Sequence, residues 1–157
     1  MGYLFLPDTL IPLKARCTPQ ASPGAETPYA HAITAMDSTI AFCAQSARTI
    51  VRLERAIGHQ RALTVPNALP GGRSVSIAGL HTISPDPTSQ VGNMSPGTAV
   101  YSPKAGTLLV ACADSEVLSV ERLQTQDRAM LRAKEWWNGV KGMGLVRDQV
   151  FRFGSPL

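Results

Sequence analysis

Four cationic or cation-forming residues recur at helical spacing in SARTIVRLERAIGHQ, residues 46–60. Wound at about 100° per residue, Arg48, Arg52, Arg55 and His59 fall in a narrow arc, and Ile50, Leu53 and Ile57 gather within about 60° on the opposite side. Arg61 follows just beyond. The apolar side calls for burial. The basic side has no i,i+4 Glu–Arg ladder to neutralise it, because Glu54 lies toward the apolar flank. Such a row is either a solvated face or a set of contacts to regularly spaced phosphates. A second basic set, Arg122, Arg128, Arg132, Lys134 and Lys141, is interleaved with Glu121, Asp127 and Glu135. It reads as mixed surface or as an extension of the first row. Trp136 and Trp137 offer a stacking platform for an unpaired base or a core anchor, and Trp136 reads as the anchor.

Other chemistry finds no residues arranged for it. His31, His59 and His81 are too dispersed for a metal site, and no Ser, His and acid share a motif that would activate a nucleophile. No catalytic and no metal residues are therefore assigned. Cys17, Cys43 and Cys112 form no CxxC or Cys/His pattern and read as free thiols of a reducing compartment. Gly71-Gly72 is a turn, since no strand precedes it in the manner of a phosphate loop. A formal net charge of +4 in 157 residues favours anionic partners, either a nucleic acid or an anionic membrane.

The elements that must hold these residues follow from periodicity and punctuation. The first residues, MGYLFLPDTLIPLK, have no cation ahead of the apolar run and are interrupted by Asp8 and two prolines. They match neither a signal peptide nor a membrane span, and Leu6 removes the myristoylation pattern. Residues 17–30 form an extended connector rich in Pro, Ser and Ala. A helix over 46–57 is predicted, capped by Ser46 and ended by a left-handed Gly58. Residues 62–72 are expected to be a loop, and a half-buried strand starts at Arg73 with Val75 and Ile77 alternating with serines. After a Pro/Ser/Gly loop over 84–97, three strand-like runs are separated by turns at 102–106 and 114–116. RAKEWWNG forms a short helix stopped by Gly139, and Val150-Phe151 a last strand. Four or five short strands with one intervening helix and no βαβ alternation imply a small barrel.

In order along the chain, several of these pieces resemble the C-terminal domain of methionyl-tRNA formyltransferases. They are Arg55-Ala56-Ile57-Gly58, the strand pair GTLLVACADSEVLSVERLQ at 106–124, and MLRAKEWWNG at 130–139. PYAHAITAMDSTIAF is similar to the segment leading out of that family's catalytic domain, and LFLPDTLIPLK to the last helix of that domain. The family usually has Trp where Phe42 stands and an Asp-Gly turn where Asp114-Ser115 stands.

The resemblance, over residues 29–145, implies a mainly β fold with flanking helices. Its core is a small OB-like, Greek-key β-barrel preceded by an amphipathic helix and an extended connector. Residues 1–28 correspond to the end of the catalytic domain and the connector, 29–145 to the C-terminal domain with its barrel over about 73–145, and 146–157 to a tail. It implies that initiator methionyl-tRNA is bound by Arg48, Arg52, Arg55, His59, Arg61, Arg122, Arg128, Arg132, Lys134 and Lys141. It implies no cofactor in this chain, 10-formyltetrahydrofolate serving the full-length enzyme, and a separate catalytic domain as a partner. That domain's Asn, His and Asp constellation is missing here, since His31, His59 and His81 are followed by Ala, Gln and Thr. By analogy the protein is a monomer of the mitochondrial matrix, or of the cytoplasm if bacterial, without membrane contact. Two alternatives stay open: the tail of another folate-dependent formyltransferase, such as one acting on a nucleotide sugar, or a non-catalytic interaction module.

Overall fold

The computed structural model describes residues 31–84 and 90–154. The readings placed on residues 1–28 and on Cys17 lie outside these residues, as do the last three of the tail. Helix α1, Ala47–Ile57, is capped by Ser46, whose hydroxyl accepts from the Thr49 amide at 3.0 Å. Ala47, Ile50 and Val51 form its buried face, whereas Leu53 and Ile57 are only half-buried against the core. The stripe is thus rotated from the one expected, and Glu54 lies on the packed side. Gly58 is right-handed, with φ −58° and ψ −25°. The chain keeps winding after it, and the Gln60 and Arg61 amides both donate to the Ile57 carbonyl at 2.9 Å. No reversal occurs there, so a left-handed residue is not needed.

Seven strands form one sheet in the order β1-β2-β5-β4-β3-β7, with β6 pairing to β5. They are β1 (Leu63–Leu69), β2 (Arg73–Ile83), β3 (Thr98–Ser102), β4 (Thr107–Ala111), β5 (Val117–Thr125), β6 (Leu131–Arg132) and β7 (Phe151–Arg152). β3, β4 and β5 are hairpin-connected, and β2 reaches them through a long connection to lie beside β5, which is a Greek key. The sheet curls into an OB-like half-barrel with the two helices flanking it.

The expected loop over 62–72 is instead mostly β1. Pro66 sits at a bulge between Val65 and Leu69, next to Asn67 with φ 49°, where a missing amide costs the ladder nothing. Residues 38–40 cover the outer edge of β1: the Ile40 amide donates to the Thr64 carbonyl at 2.9 Å and the Thr64 amide to the Ser38 carbonyl at 2.8 Å.

The curl has a local cause. Core-facing residues run Val75, Ile77 and then Leu80 along β2, and Leu118, Val120 and then Leu123 along β5. Both strands change face between the register pairs Ala78↔Arg122 and Leu80↔Val120. Gly79 stands between them at φ 70°, and a Cβ there would lie 2.9 Å from the Cβ of Glu121. Only glycine turns this corner without a clash.

The second helix, α2, spans Ala133–Gly142. It runs through Gly139, because Val140 beyond it is buried and packing outweighs a propensity cost of about 1 kcal/mol. It stops instead at left-handed Gly144, where the Gly144 amide donates to the Lys141 carbonyl and the Leu145 amide to the Val140 carbonyl. Trp136 and Trp137 are both buried. Trp136 meets Phe151 edge-on at 5.3 Å, Phe153 packs on it at 6.0 Å, and Phe42 meets Phe153 at 5.2 Å. The chain after Val146 therefore joins the sheet and the core through β7.

Candidate functional site

The basic row is seated by an acid. Glu54 reaches from the packed side of α1 to the corner of β2, where its carboxylate accepts from the Gly79 amide at 2.7 Å and the Leu80 amide at 2.9 Å. The sharp turn at Gly79 directs these amides toward the helix, and the carboxylate satisfies both with charge-assisted bonds. That contact fixes the rotation of α1, and with it the direction of the arginines opposite.

The residues of the row differ in what they meet. Arg48 is not free: its guanidinium pairs with Glu116 in the β4–β5 turn at 3.0 Å, an acid 68 positions away that helical spacing could not reveal. Arg52 and Arg55 are exposed, and among the described residues no carboxylate pairs with either. His59 is exposed, its Nε2 lying 3.1 Å from the Gln60 side-chain nitrogen. Arg61 is exposed near Asp37. The Asp37 carboxyl is held below the usual range chiefly by hydrogen bonds from the Thr34 amide and hydroxyl, with a smaller contribution from Arg61.

The second basic set divides by position. Arg122 and Arg132 are directly paired across β5 and β6, so two like charges share one face of the sheet. Ala78, on the other side of Arg122, is the neighbour of Gly79. Gly79 is the residue whose amide bonds to Glu54 of α1. Arg128 sits in the turn after β5, where the Gln124 side-chain amide donates to its carbonyl at 2.6 Å and its own amide donates to the Thr125 carbonyl at 3.0 Å. Lys134 and Lys141 are exposed, seven residues apart on one face of α2. None of these five pairs with a carboxylate of the described residues.

Trp137 is not a stacking platform. It is 5% exposed and covered by Tyr101, with ring centroids 6.2 Å apart. Neither tryptophan presents a free ring face to a base, because both are spent on the core.

Among the described residues no group of three or more His, Cys, Asp or Glu could hold a metal ion, and no helix is long and apolar enough to cross a membrane. Cys43 and Cys112 are free thiols, one exposed and one buried. Burial pushes the Cys112 thiol up to about 12, with Asp114 and then Glu116 adding to the shift. It is a packing residue and a poor nucleophile.

Two residues escaped the sequence reading. Glu54 has a spacing signal only in hindsight, as an acid on the apolar stripe that demands buried donors. Arg73 opens β2 after the Gly71-Gly72 hairpin, and the register Val75↔Thr125 carries it to the turn that holds Arg128.

Comparison with known proteins identifies residues 32–141 with the family model described as formyl transferase, C-terminal domain. No curated protein matches the chain.

Proposed function

Because the chain belongs to the formyl transferase C-terminal domain family, we propose that it is the RNA-gripping domain of a methionyl-tRNA formyltransferase. In this reading it holds initiator methionyl-tRNA by its phosphates. Formyl transfer from 10-formyltetrahydrofolate to the methionyl amine belongs to a separate catalytic domain, and the setting is translation initiation in the mitochondrial matrix, with this domain a monomer. One observation carries the reading: Arg52 and Arg55 on the exposed side of α1, and Arg122 and Arg132 directly opposite one another across β5 and β6, have no carboxylate partner among the described residues. Two arginines held directly opposite one another repel. An anion between them relieves that cost, which a solvated surface has no reason to incur.

Arginine forks suit phosphate oxygens, and contacts of this kind position a nucleic acid without reading its bases. The tail of a formyltransferase acting on a nucleotide sugar has no use for a row of backbone contacts. A titration of tRNA at several salt concentrations separates the readings. The triple variant Arg52→Gln/Arg55→Gln/Arg122→Gln should lose about two to three units from the slope of log K against log salt, at about 0.9 per phosphate. A control, Arg147→Gln, should leave the slope alone. A triple variant with the parent's affinity and slope would defeat the RNA reading.

A further inference from the structure

A cleft of about 270 Å³ opens between α2 and the end of β5. Arg73 and Arg128 line it together with the exposed apolar side chains of Leu131 and Met143, the buried Trp136 and Val140, and Gly139. We propose that this cleft seats a single nucleotide unit, its ring against Leu131 and Met143 and its phosphate at the two guanidiniums. The proposal rests on the RNA reading above and adds to it a pocket for an unpaired residue.

Three observations converge on that ligand. The volume lies just under the range of small-molecule pockets, about 300–1,000 Å³, and admits one ring with its sugar rather than a chain of residues. The charge is one-sided: two arginines line the cleft, none of its lining residues is acidic, and neither arginine pairs with a carboxylate of the described residues. The backbone that carries Arg128 is held by the Gln124 side-chain amide, which donates to the Arg128 carbonyl. The apolar side chains of this lining are open to solvent, Leu131 in β6 being 37% and Met143 at the C-cap of α2 50% exposed. A thioether and a branched chain at that spacing make soft contact with the face or edge of a ring.

Gly139 supplies the fourth point. In mid-helix glycine costs about 1 kcal/mol relative to alanine. Here it neither turns the chain nor relieves a contact, because a Cβ at 139 would meet nothing within 4 Å. What the missing side chain does is leave the cleft empty. An acidic peptide also offers a carboxylate to the two arginines, but the apolar lining beside them favours a ring.

The test uses the full chain and four probes: a nucleoside 5′-monophosphate, a poly-glutamate peptide, a single-stranded oligoribonucleotide and an RNA duplex of equal length. Gly139→Leu fills the cleft and should not lower the melting temperature. It should weaken single-strand binding at least tenfold while leaving duplex affinity and its salt slope at the parent's values. Arg73→Gln/Arg128→Gln should also weaken single-strand binding at least tenfold, keeping the result readable if the leucine variant misfolds. Loss of free nucleotide binding in Gly139→Leu would identify the free nucleotide as an occupant, and a loss confined to the oligonucleotide would identify an unpaired residue of RNA. Either supports the site. Single-strand binding at the parent's level in both variants overturns the cleft while leaving the RNA reading standing. Displacement by poly-glutamate in preference to nucleotide also overturns it. Failure of both RNAs to bind the parent removes the RNA reading and the cleft with it.

Discussion

The two helices dock on the same half-barrel by different means. α2 is held by burial: Trp136 and Trp137 sink into an aromatic cluster with Tyr101, Phe151 and Phe153, and the Trp136 indole donates to the Thr125 hydroxyl at 3.1 Å. α1 buries only Ala47, Ile50 and Val51, and its orientation is set by the two hydrogen bonds of Glu54 to a sheet corner. Area fixes one helix and direction fixes the other. The helix held by direction is the one carrying the exposed arginines, whose aim matters more than their depth. The difference predicts that damage to α2 shows first as lost stability, and damage to the α1 anchor first as lost geometry.

The largest effect belongs to the α2 side. Trp136 is 2% exposed and in contact with two phenylalanines, so Trp136→Ala should lower the unfolding free energy by about 3–5 kcal/mol in a urea titration. That is a large share of what a domain of this size possesses. A loss below about 1 kcal/mol would mean that the aromatic cluster is not the anchor of α2, and the contrast between the helices would vanish.

How much of this contrast the sequence shows depends on whether the cause is local. The Ser46 cap, the meander from β3 to β5 and the anchoring role of Trp136 are carried by neighbouring residues, and turn chemistry and periodicity display them. The strand through Pro66 is hidden because proline forbids a strand in the middle of a sheet, and nothing local says that this one is an edge with a bulge. The passage of α2 through Gly139 is hidden for the same reason: its cause is the burial of Val140, not a property of NGVKG. Arg48 illustrates the limit most sharply, since helical spacing presents it as one of four equivalent cations and its partner lies four strands further along the chain. The pairing of Arg122 with Arg132 is likewise a fact of register, invisible in a list of basic residues.

A middle-sized effect tests direction against area. Glu54→Gln keeps the side chain's volume and one acceptor but removes the charge and the second bond. It should cost about 1.5–3 kcal/mol, the range for hydrogen bonds to a charged group. More telling is the tRNA titration at a temperature where the variant is fully folded. If Glu54 aims the row, Glu54→Gln should weaken binding several-fold even though it removes a negative charge, which by simple electrostatics should tighten it. Tighter binding would mean that the arginines find phosphates without being aimed.

The smallest effect on stability carries the finest distinction within α1. The Arg48 side chain is 70% exposed, so its bridge to Glu116 contributes at most about 1 kcal/mol, and Arg48→Gln should hardly move the unfolding midpoint. Its effect on RNA should be small too, because a guanidinium occupied by Glu116 has less to offer a phosphate than Arg52 or Arg55. The reverse substitution is the informative one. Glu116 Oε2 is buried without a hydrogen-bond partner, so the carboxylate is held at the turn chiefly by Arg48 on its other oxygen. Glu116→Gln removes the charge that occupies Arg48 and releases it to the row. The slope of log K against log salt should then steepen by up to about 0.9, the value of one additional phosphate contact. In the double variant Arg48→Gln/Glu116→Gln the gain should disappear. A steepening that survives in the double variant would come from the general loss of a negative charge and not from Arg48. An unchanged slope in the single variant would mean that Arg48 points away from the nucleic acid, leaving Arg52 and Arg55 as the part of α1 that reaches it.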